Sequence, residues 1–543
     1  MQKSDIKKIK DPVYGYLSIP SQYMKDIIDT PIFQRLRRVI QTSYSPLYAS
    51  ALHNRFAHSL GVFYLGNIVA KRLKKVIERK QYLSAQVVEK YAATYKIACL
   101  LHDIGHAPFS HTGEVYYKND SFRVVELHQR LCSLISSDEF KKDLPCESDS
   151  AAAHEIMSAI IGIKEFGDII GDNENKELFA RCITGYKYKK ISEENEIKNC
   201  FICMLNSSVI DVDRLDYLIR DAYTSGFATV SIDYVRLLNA LNIIKYKEHY
   251  EIAYKKDAVS IIENVVYAHD AERKWIQNHP VVVYETYILK RILENLNKNL
   301  NKEKHRLFSE ESLSQIGHKL RGGRKICLLC DDDIVYLAKN VFSDQFSEEF
   351  FDRNKRRHPV WKSEAEYKAY IGGFSTGGEH KDRFMDCMEA FVESKVPDHI
   401  IPMKIDDDLI KQFQAELRDA QQDSGSDGSK IEAIKRKLSA CNYLKQYVTE
   451  RNIPFDFIII PTYMFNSNFS KEHLGNTLVT FGKNEKTKQL KNVCTLLKSD
   501  LSDRNFYYLF YRRGEPSETS SGKIDDIDKF CEGLFQAVIY PHE

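Results

Sequence analysis

Two helical periods separated by a short polar break constrain this chain more than any other feature. Residues 55–79 place apolar side chains at Leu60, Val62, Leu65, Ile68, Val69 and Leu73 and close with a basic tail. Residues 84–104 carry a second apolar run, which stops where Gly105 and Pro108 interrupt it. Amphipathic helices in series bury their stripes against further helices, so a mainly α core is predicted. More helices are expected at 122–136, 151–162, 175–185, 206–222 and 231–244, and across 258–298. The second helix is expected to end on His102-Asp103, and the last turn of a buried helix is a rigid mount for two ligand-type side chains.

The C-terminal part changes character. Ile431–Val448 keeps a helical period, whereas Phe455-Asp-Phe-Ile-Ile-Ile-Pro, Thr477-Leu-Val-Thr-Phe-Gly and Asn505-Phe-Tyr-Tyr-Leu-Phe-Tyr read as strands. At 543 residues the chain exceeds one simple core. The expected organisation is a helical core at 1–298, a charged helical insert or connection at 299–430 and a smaller α+β lobe at 431–543. Gln421-Gln-Asp-Ser-Gly-Ser-Asp-Gly-Ser-Lys430 reads as a surface loop.

Composition excludes several classes. The net charge of +2 neither indicates nor excludes a nucleic-acid partner, since local patches are open to one, and no apolar run reaches the ~20 residues of a membrane span. Met1-Gln-Lys-Ser-Asp is no secretory signal, and twelve scattered cysteines read as reduced thiols of a cytoplasmic protein. The pairs Cys200/Cys203 and Cys327/Cys330 are too far apart for a zinc ribbon and enclose apolar residues.

What remains is chemistry at three short motifs. His53-Asn-Arg-Phe-Ala-His58, Leu101-His102-Asp103-Ile-Gly-His106 and Ile210-Asp211-Val-Asp213-Arg-Leu-Asp-Tyr217 supply a histidine, a histidine–aspartate pair and a distant aspartate. Together His58, His102, Asp103 and Asp213 could hold one divalent ion, and a mixed imidazole–carboxylate set suits Mn, Mg, Fe, Zn or Co. Such an ion lowers the pKa of a bound water and neutralises phosphoryl charge. On a helix from 208 to 222, Asp213, Tyr217 and Asp221 share one face, an odd stripe for a core and an apt one for a pocket. His106, His111, Glu114 and His154 are the acid–base candidates, since hydrolysis must orient a water and protonate a leaving oxygen. Arg55 and Arg214 stand beside the ligand positions and offer bidentate phosphate contacts.

These residues resemble the HD-domain phosphohydrolases, and within them the deoxynucleoside triphosphate triphosphohydrolases, a group that includes bacterial dGTPases and the mammalian hydrolase joining a SAM domain to an HD domain. The resemblance runs over roughly residues 8–285. It rests on Asp11-Pro-Val-Tyr-Gly-Tyr, on Thr30-Pro-Ile-Phe-Gln-Arg-Leu-Arg-Arg-Val-Ile-Gln41 and on His102-Asp-Ile-Gly-His-Ala-Pro-Phe-Ser-His111. It implies an HD-domain helical core with an appended smaller α+β C-terminal lobe, and one metal ion per active site. It also implies cleavage of a dNTP, dGTP favoured, to deoxynucleoside and inorganic triphosphate. By the same resemblance His111 is the general acid, Glu114 its carboxylate partner, and His106 and His154 contact phosphate or handle protons. Tyr217 packs on the sugar, and Asp221 and Gln41 meet its 3′-hydroxyl. A homo-oligomer, tetramer or hexamer, is implied, with an activating nucleotide near Asp29, Gln34 and Arg37. Some relatives deplete dNTPs in antiviral defence against phage.

The chain departs from that pattern at several places. Glu114 stands where the mammalian relative has aspartate, Arg214 where family members often have lysine, Lys10 where asparagine is expected and Gln277 where a tyrosine is usual. Two other readings stay open: an HD phosphohydrolase acting on another nucleotide or an oligonucleotide, and a catalytically silent nucleotide sensor.

Overall fold

The computed structural model describes residues 5–43, 46–118, 124–146, 149–227, 231–300, 307–314, 328–340, 344–372, 378–396, 399–422, 428–462, 469–482, 486–494, 506–517 and 520–541. The fold is mainly α-helical with small sheets, as the periodicity predicted. It divides into two compact units, each discontinuous in sequence. The first takes Met1–Lys274, Leu293–Phe342 and Ser467–Leu501, and the second Trp275–Ile292, Ser343–Asn466 and Ser502–Glu543.

The first unit opens with an antiparallel hairpin, β1 (Ile6–Asp11) and β2 (Gly15–Pro20). Its frame is helical: α1 (Arg55–Lys80), α2 (Ala85–Leu101), α3 (Ala153–Ile170), α4 (Asn173–Thr184), α5 (Glu193–Leu205) and α6 (Val212–Ser225). Helix α1 begins where the Asn54 side chain accepts the Ala57 amide, a cap that satisfies one orphan donor of the first turn. Its apolar stripe is buried from Leu60 to Ile77. At Gly61 a Cβ would collide with the Asp216 carboxylate, so glycine there sets how closely α1 and α6 approach. Gly105 plays the same part, with its Cα against the backbone of Met157 and Ser158 on α3.

Several sequence expectations need correction. Helix α2 ends at Leu101, so His102 and Asp103 occupy the turn just beyond it rather than its last turn. Helix α6 starts at Val212 because Asp211 caps it, its Oδ1 accepting the Arg214 amide at 2.8 Å. The stretch 231–244 is helical only over Tyr234–Asn239. It then turns into β3 (Leu241–Tyr246), which pairs antiparallel with β4 (His249–Lys255). The long helix expected over 258–298 is broken by a π-helical turn at Arg273–Gln277 before Pro280 opens the next segment. The strand at Leu478–Phe481, expected among the C-terminal strands, runs parallel to β4 in the first unit, where Leu478 packs with Ile244 and Ala253. The expected loop at 421–430 begins and ends inside helices, and its middle, 423–427, lies outside the described residues, as do Cys327 and Asn505.

The second unit joins helices, among them Gly428–Thr449 and Ile527–Ile539, to a four-stranded antiparallel sheet. Its strand order is His358–Pro359, Tyr507–Tyr511, Phe457–Pro461, Lys404–Ile405. A buried network holds its centre, with Arg357 reaching Asp456 at 2.8 Å and Glu349 at 3.1 Å. Among the described residues no helix is long and apolar enough to cross a membrane.

Candidate metal centre and active site

The four expected metal ligands converge in the first unit. His58 Nε2 lies 2.9 Å from Asp213 Oδ1 and 3.2 Å from His102 Nε2. Asp103 stands 3.5 Å from His58 Nε2 through Oδ2 and 3.3 Å from His102 Nε2 through Oδ1. Both imidazoles have their other nitrogen engaged, His58 Nδ1 with Asp216 Oδ2 at 2.7 Å and His102 Nδ1 with the Cys99 carbonyl at 3.1 Å. With each Nδ1 engaged outward, the two Nε2 atoms turn toward one another and toward Asp213, an arrangement that a bound cation would satisfy. Without an ion, the surrounding carboxylates favour a proton on His58 instead. Burial works against a charge on His58, yet hydrogen bonds to Asp213 and Asp216 and the nearby Asp103 raise its pKa to about 10. His58, His102 and Asp213 bring ligand atoms close enough to share one divalent ion, and the Asp103 carboxylate stands beside them.

Asp216 is a residue that sequence reasoning missed. It sits one turn after Asp213 on α6 and is fully buried. Arg220 grips it (Nε to Oδ2 at 2.9 Å, Nη2 to Oδ1 at 3.0 Å), and Asp11 pairs with Arg220 in turn at 3.0 Å. The opposition of burial by Arg220 and His58 holds the Asp216 carboxyl at about 2. The visible signal was an Asp–Arg pair at i and i+4 within an otherwise apolar helix face.

A second cluster adjoins the first through Asp103, whose Oδ1 is also 3.2 Å from His106 Nε2. His106 is buried and stacks on His154 with centroids 4.0 Å apart; burial, then Arg55 and His154, keep it neutral well below its ordinary pKa. Glu114 bridges His111 Nδ1, at 3.0 Å, and His154 Nδ1. Burial disfavours charge on both members of the His154–Glu114 pair. Their mutual attraction wins, raising His154 to about 9 and holding Glu114 well below the usual carboxylate range. The His111 side chain stays 61 % exposed.

The remaining expected residues fall into three groups. Arg55 is buried and already committed, donating to Asp103 Oδ2 at 2.8 Å and Ser110 Oγ at 2.9 Å, with Nη2 3.4 Å from His111 Nε2. Arg214 is likewise turned inward, to Asp211 at 3.0 Å and the carbonyls of Ser207 and Val209, and lies over the Phe469 ring. Asp213, Tyr217 and Asp221 do share one face of α6, with the first two half-buried and Asp221 buried. Asp221 accepts from His53 Nε2 at 2.7 Å, another partner not foreseen. Gln41 is buried beside His53, its amide bonded to the His53 carbonyl at 3.0 Å. Its side-chain Oε1 has no protein partner among the described residues. Arg37 donates to Gln34 Oε1 and stacks over Phe56, Gln34 donates to the Ile28 carbonyl, and Asp29 is exposed. These three lie on the surface of the N-terminal segment and join neither histidine cluster.

The imidazole of α1, the His102–Asp103 pair in the turn after α2 and Asp213 of α6 thus form one candidate metal centre. Residues 55–194 match the family model described as HD domain, a span that holds His58, His102, Asp103 and the whole second cluster. The chain thus carries an HD-domain segment, and its relatives include HD-domain dNTPases. It is similar to an uncharacterised protein of Mycoplasma genitalium, 30% identical over 47% of this chain and 52% of that protein. It is also similar to the deoxynucleoside triphosphate triphosphohydrolase SAMHD1 of Gallus gallus, 27% identical over 52% of this chain and 44% of that protein. The chain thus spans about half the length of the curated relatives it matches. A crystal structure of a hypothetical protein from Aquifex aeolicus shares the fold, with a TM-score of 0.54 at 20% identity over 94% of this chain and 97% of that one.

Proposed function

We propose that this protein hydrolyses deoxynucleoside triphosphates, dGTP first among them, to deoxynucleoside and inorganic triphosphate. The observation that carries the reading is the convergence of His58, His102 and Asp213 beside the Asp213–Tyr217–Asp221 face of α6 and next to a Glu114-bridged pair of histidines. The relatives named as dNTP triphosphohydrolases support it.

His58, His102, Asp103 and Asp213 would hold the ion, which supplies charge neutralisation at phosphate and a more acidic water. The residues of the chain divide the rest. The Tyr217 ring packs against the sugar where a 2′-hydroxyl would need room. Asp221, oriented by His53, and Gln41, through its unpartnered Oε1, take the 3′-hydroxyl. His111 gives its Nε2 proton to the departing 5′-oxygen, while Glu114 accepts its Nδ1–H and fixes the ring. His154 and Glu114 form an ion pair that keeps the relay carboxylate charged, and neutral His106 leaves Asp103 free to serve the ion. The active form is a homo-oligomer, tetramer or hexamer, whose activating nucleotide binds at Asp29, Gln34 and Arg37.

Purified protein with Mn²⁺ or Mg²⁺, given each dNTP alone and in pairs, tests this by ion-exchange analysis of products. Deoxynucleoside plus triphosphate is expected, with some pairs faster than either member. Monophosphate plus pyrophosphate, or no turnover in any mixture, would remove the reading.

A further inference from the structure

His111 and Gln41 belong to segments with no secondary structure in common. Each is fixed by a neighbour in the chain, and both neighbours are bound by one side chain from far downstream. Asp331, the first residue of the helix Asp331–Asn340, accepts the Phe109 amide on Oδ1 at 2.7 Å and the Ile40 amide on Oδ2 at 2.8 Å. The carboxylate is buried, at 6 % exposure. The turn it reaches is a strained one: Phe109 has φ +56° and Ser110 φ +54°, the left-handed region for two successive residues that are not glycine. Ser110 ties the same two segments again, donating to the Ile40 carbonyl and accepting from Arg55 Nε. Beside it the buried Arg35 donates to the carbonyls of Leu329, Ile104 and His106 at 2.8 to 2.9 Å. The segment 329–331 is therefore stapled to the histidine-bearing loop from both sides.

We propose that Asp331 is a positioning residue for the reaction: it holds the Phe109–Ser110 turn, and so His111, in fixed relation to Ile40–Gln41. Its catalytic consequence rests on the function proposed above, but the clamp itself does not. The two amide donors, from two segments, reach two separate oxygens of one side chain, an arrangement that a carboxylate supplies. An asparagine of the same shape offers one acceptor and turns an NH₂ group toward the other amide, so one arm opens and the strained turn relaxes.

Asp331→Asn is the test, with Asp332→Asn as control, because Asp332 carries the same charge in the same helical turn and among the described residues pairs with the exposed Arg38 alone. For Asp331→Asn, kcat is expected to fall roughly 10²-fold, the cost of a misplacement on the order of 1 Å. KM, bound metal and cooperative melting stay near those of the wild type. Amide hydrogen exchange in a peptide covering 106–111 accelerates, and Asp332→Asn changes neither quantity. Equal kcat and equal exchange in the two variants would overturn the proposal, as would a loss of kcat matched by loss of metal or of the folded state. Should the wild type turn over no dNTP, the function fails on its own, and the exchange comparison still decides the clamp: faster exchange in Asp331→Asn alone supports it, and equal exchange ends it.

Discussion

The two histidine clusters are built from the same residue types and wired in opposite senses. In the cluster of His58, His102 and Asp213, each Nδ1 is taken by a partner outside, Asp216 or the Cys99 carbonyl, and the Nε2 atoms turn inward. In the cluster of His106, His111, Glu114 and His154, two Nδ1 atoms turn inward onto a single carboxylate, and His111 is left facing solvent. Either set is compact enough to surround an ion, its ligand atoms lying within 4.8 Å of one another. The wiring separates them. Inward Nε2 atoms suit a bound cation, whereas inward N–H groups are already satisfied by Glu114 and form a proton path. Asp103 joins them, within 3.3 Å of one imidazole from each cluster, with Arg55 on its other oxygen.

The largest effect that follows is the separation of metal from turnover. His102→Ala should reduce turnover to background and empty the site of metal while far-UV circular dichroism stays that of the wild type; Asp103→Ala should do the same at a greater cost in stability, because it leaves Arg55 buried without its partner. Elemental analysis should find one ion per wild-type chain. Two ions per chain, or retained turnover in His102→Ala, would mean that the clusters are not distinguished by their wiring.

Glu114→Gln comes next. Turnover should fall by ~10²- to 10⁴-fold, the worth of a positioned acid–base pair, with the metal still bound. It also has a pH signature. The folded His154 pKa of about 9 lies above its ordinary 6.5, so its pairing contributes stability fully below about 6.5 and loses it as pH rises through 9. Glu114 is shifted the other way, so its contribution is present above 4.5 and is lost as pH falls further. The difference in unfolding free energy between wild type and Glu114→Gln should therefore be greatest between those limits and shrink between pH 6.5 and 9, by on the order of a few kcal/mol. A difference that is flat over that interval, read from urea titrations of the metal-loaded proteins, would break the ion pair out of the account.

How much of this was legible in the sequence depends on which physical signal each feature carries. Helix α1 and the four positions proposed as metal ligands follow from a 3.6-residue period and short motifs, which are local. The hairpin of β3 and β4 left no such trace. Leu241-Asn-Ile-Ile-Lys-Tyr continues the apolar rhythm of the helix before it, and the turn is made by Lys247 and Glu248 in positive φ, with no glycine or asparagine to announce it. The strand at Leu478–Phe481 pairs with residues more than two hundred positions earlier, a partnership that no window of sequence contains. Asp331, Arg35 and His53 escaped for the same reason, since each acts on a segment distant in the chain. Asp216 was a different case. It lies inside a motif that was read, yet an aspartate one turn from a ligand looks like ordinary helix charge until His58 is placed against it.

Asp216 is also where the comparison can be made sharpest, though the effect is smaller. Its Oδ2 accepts from His58 Nδ1 while Arg220 holds both of its oxygens, and Arg220 keeps Asp11 as a second partner. Asp216→Asn therefore preserves shape and much of the packing but replaces an anionic acceptor by a neutral amide. The imidazole then loses basicity and rotational restraint together, and metal affinity should weaken by ~10- to 100-fold, the usual worth of such a partner. Saturating metal should restore most of kcat, because the ligand is still present and the relay through Glu114 is untouched. Glu114→Gln should show no such rescue at any metal concentration. A metal titration of turnover in the two variants thus assigns each cluster its task by whether added ion repairs the damage. Were Asp216→Asn to lose kcat irreparably with metal affinity unchanged, His58 would belong to the proton path, and the distinction drawn from the two wirings would fail at its first residue.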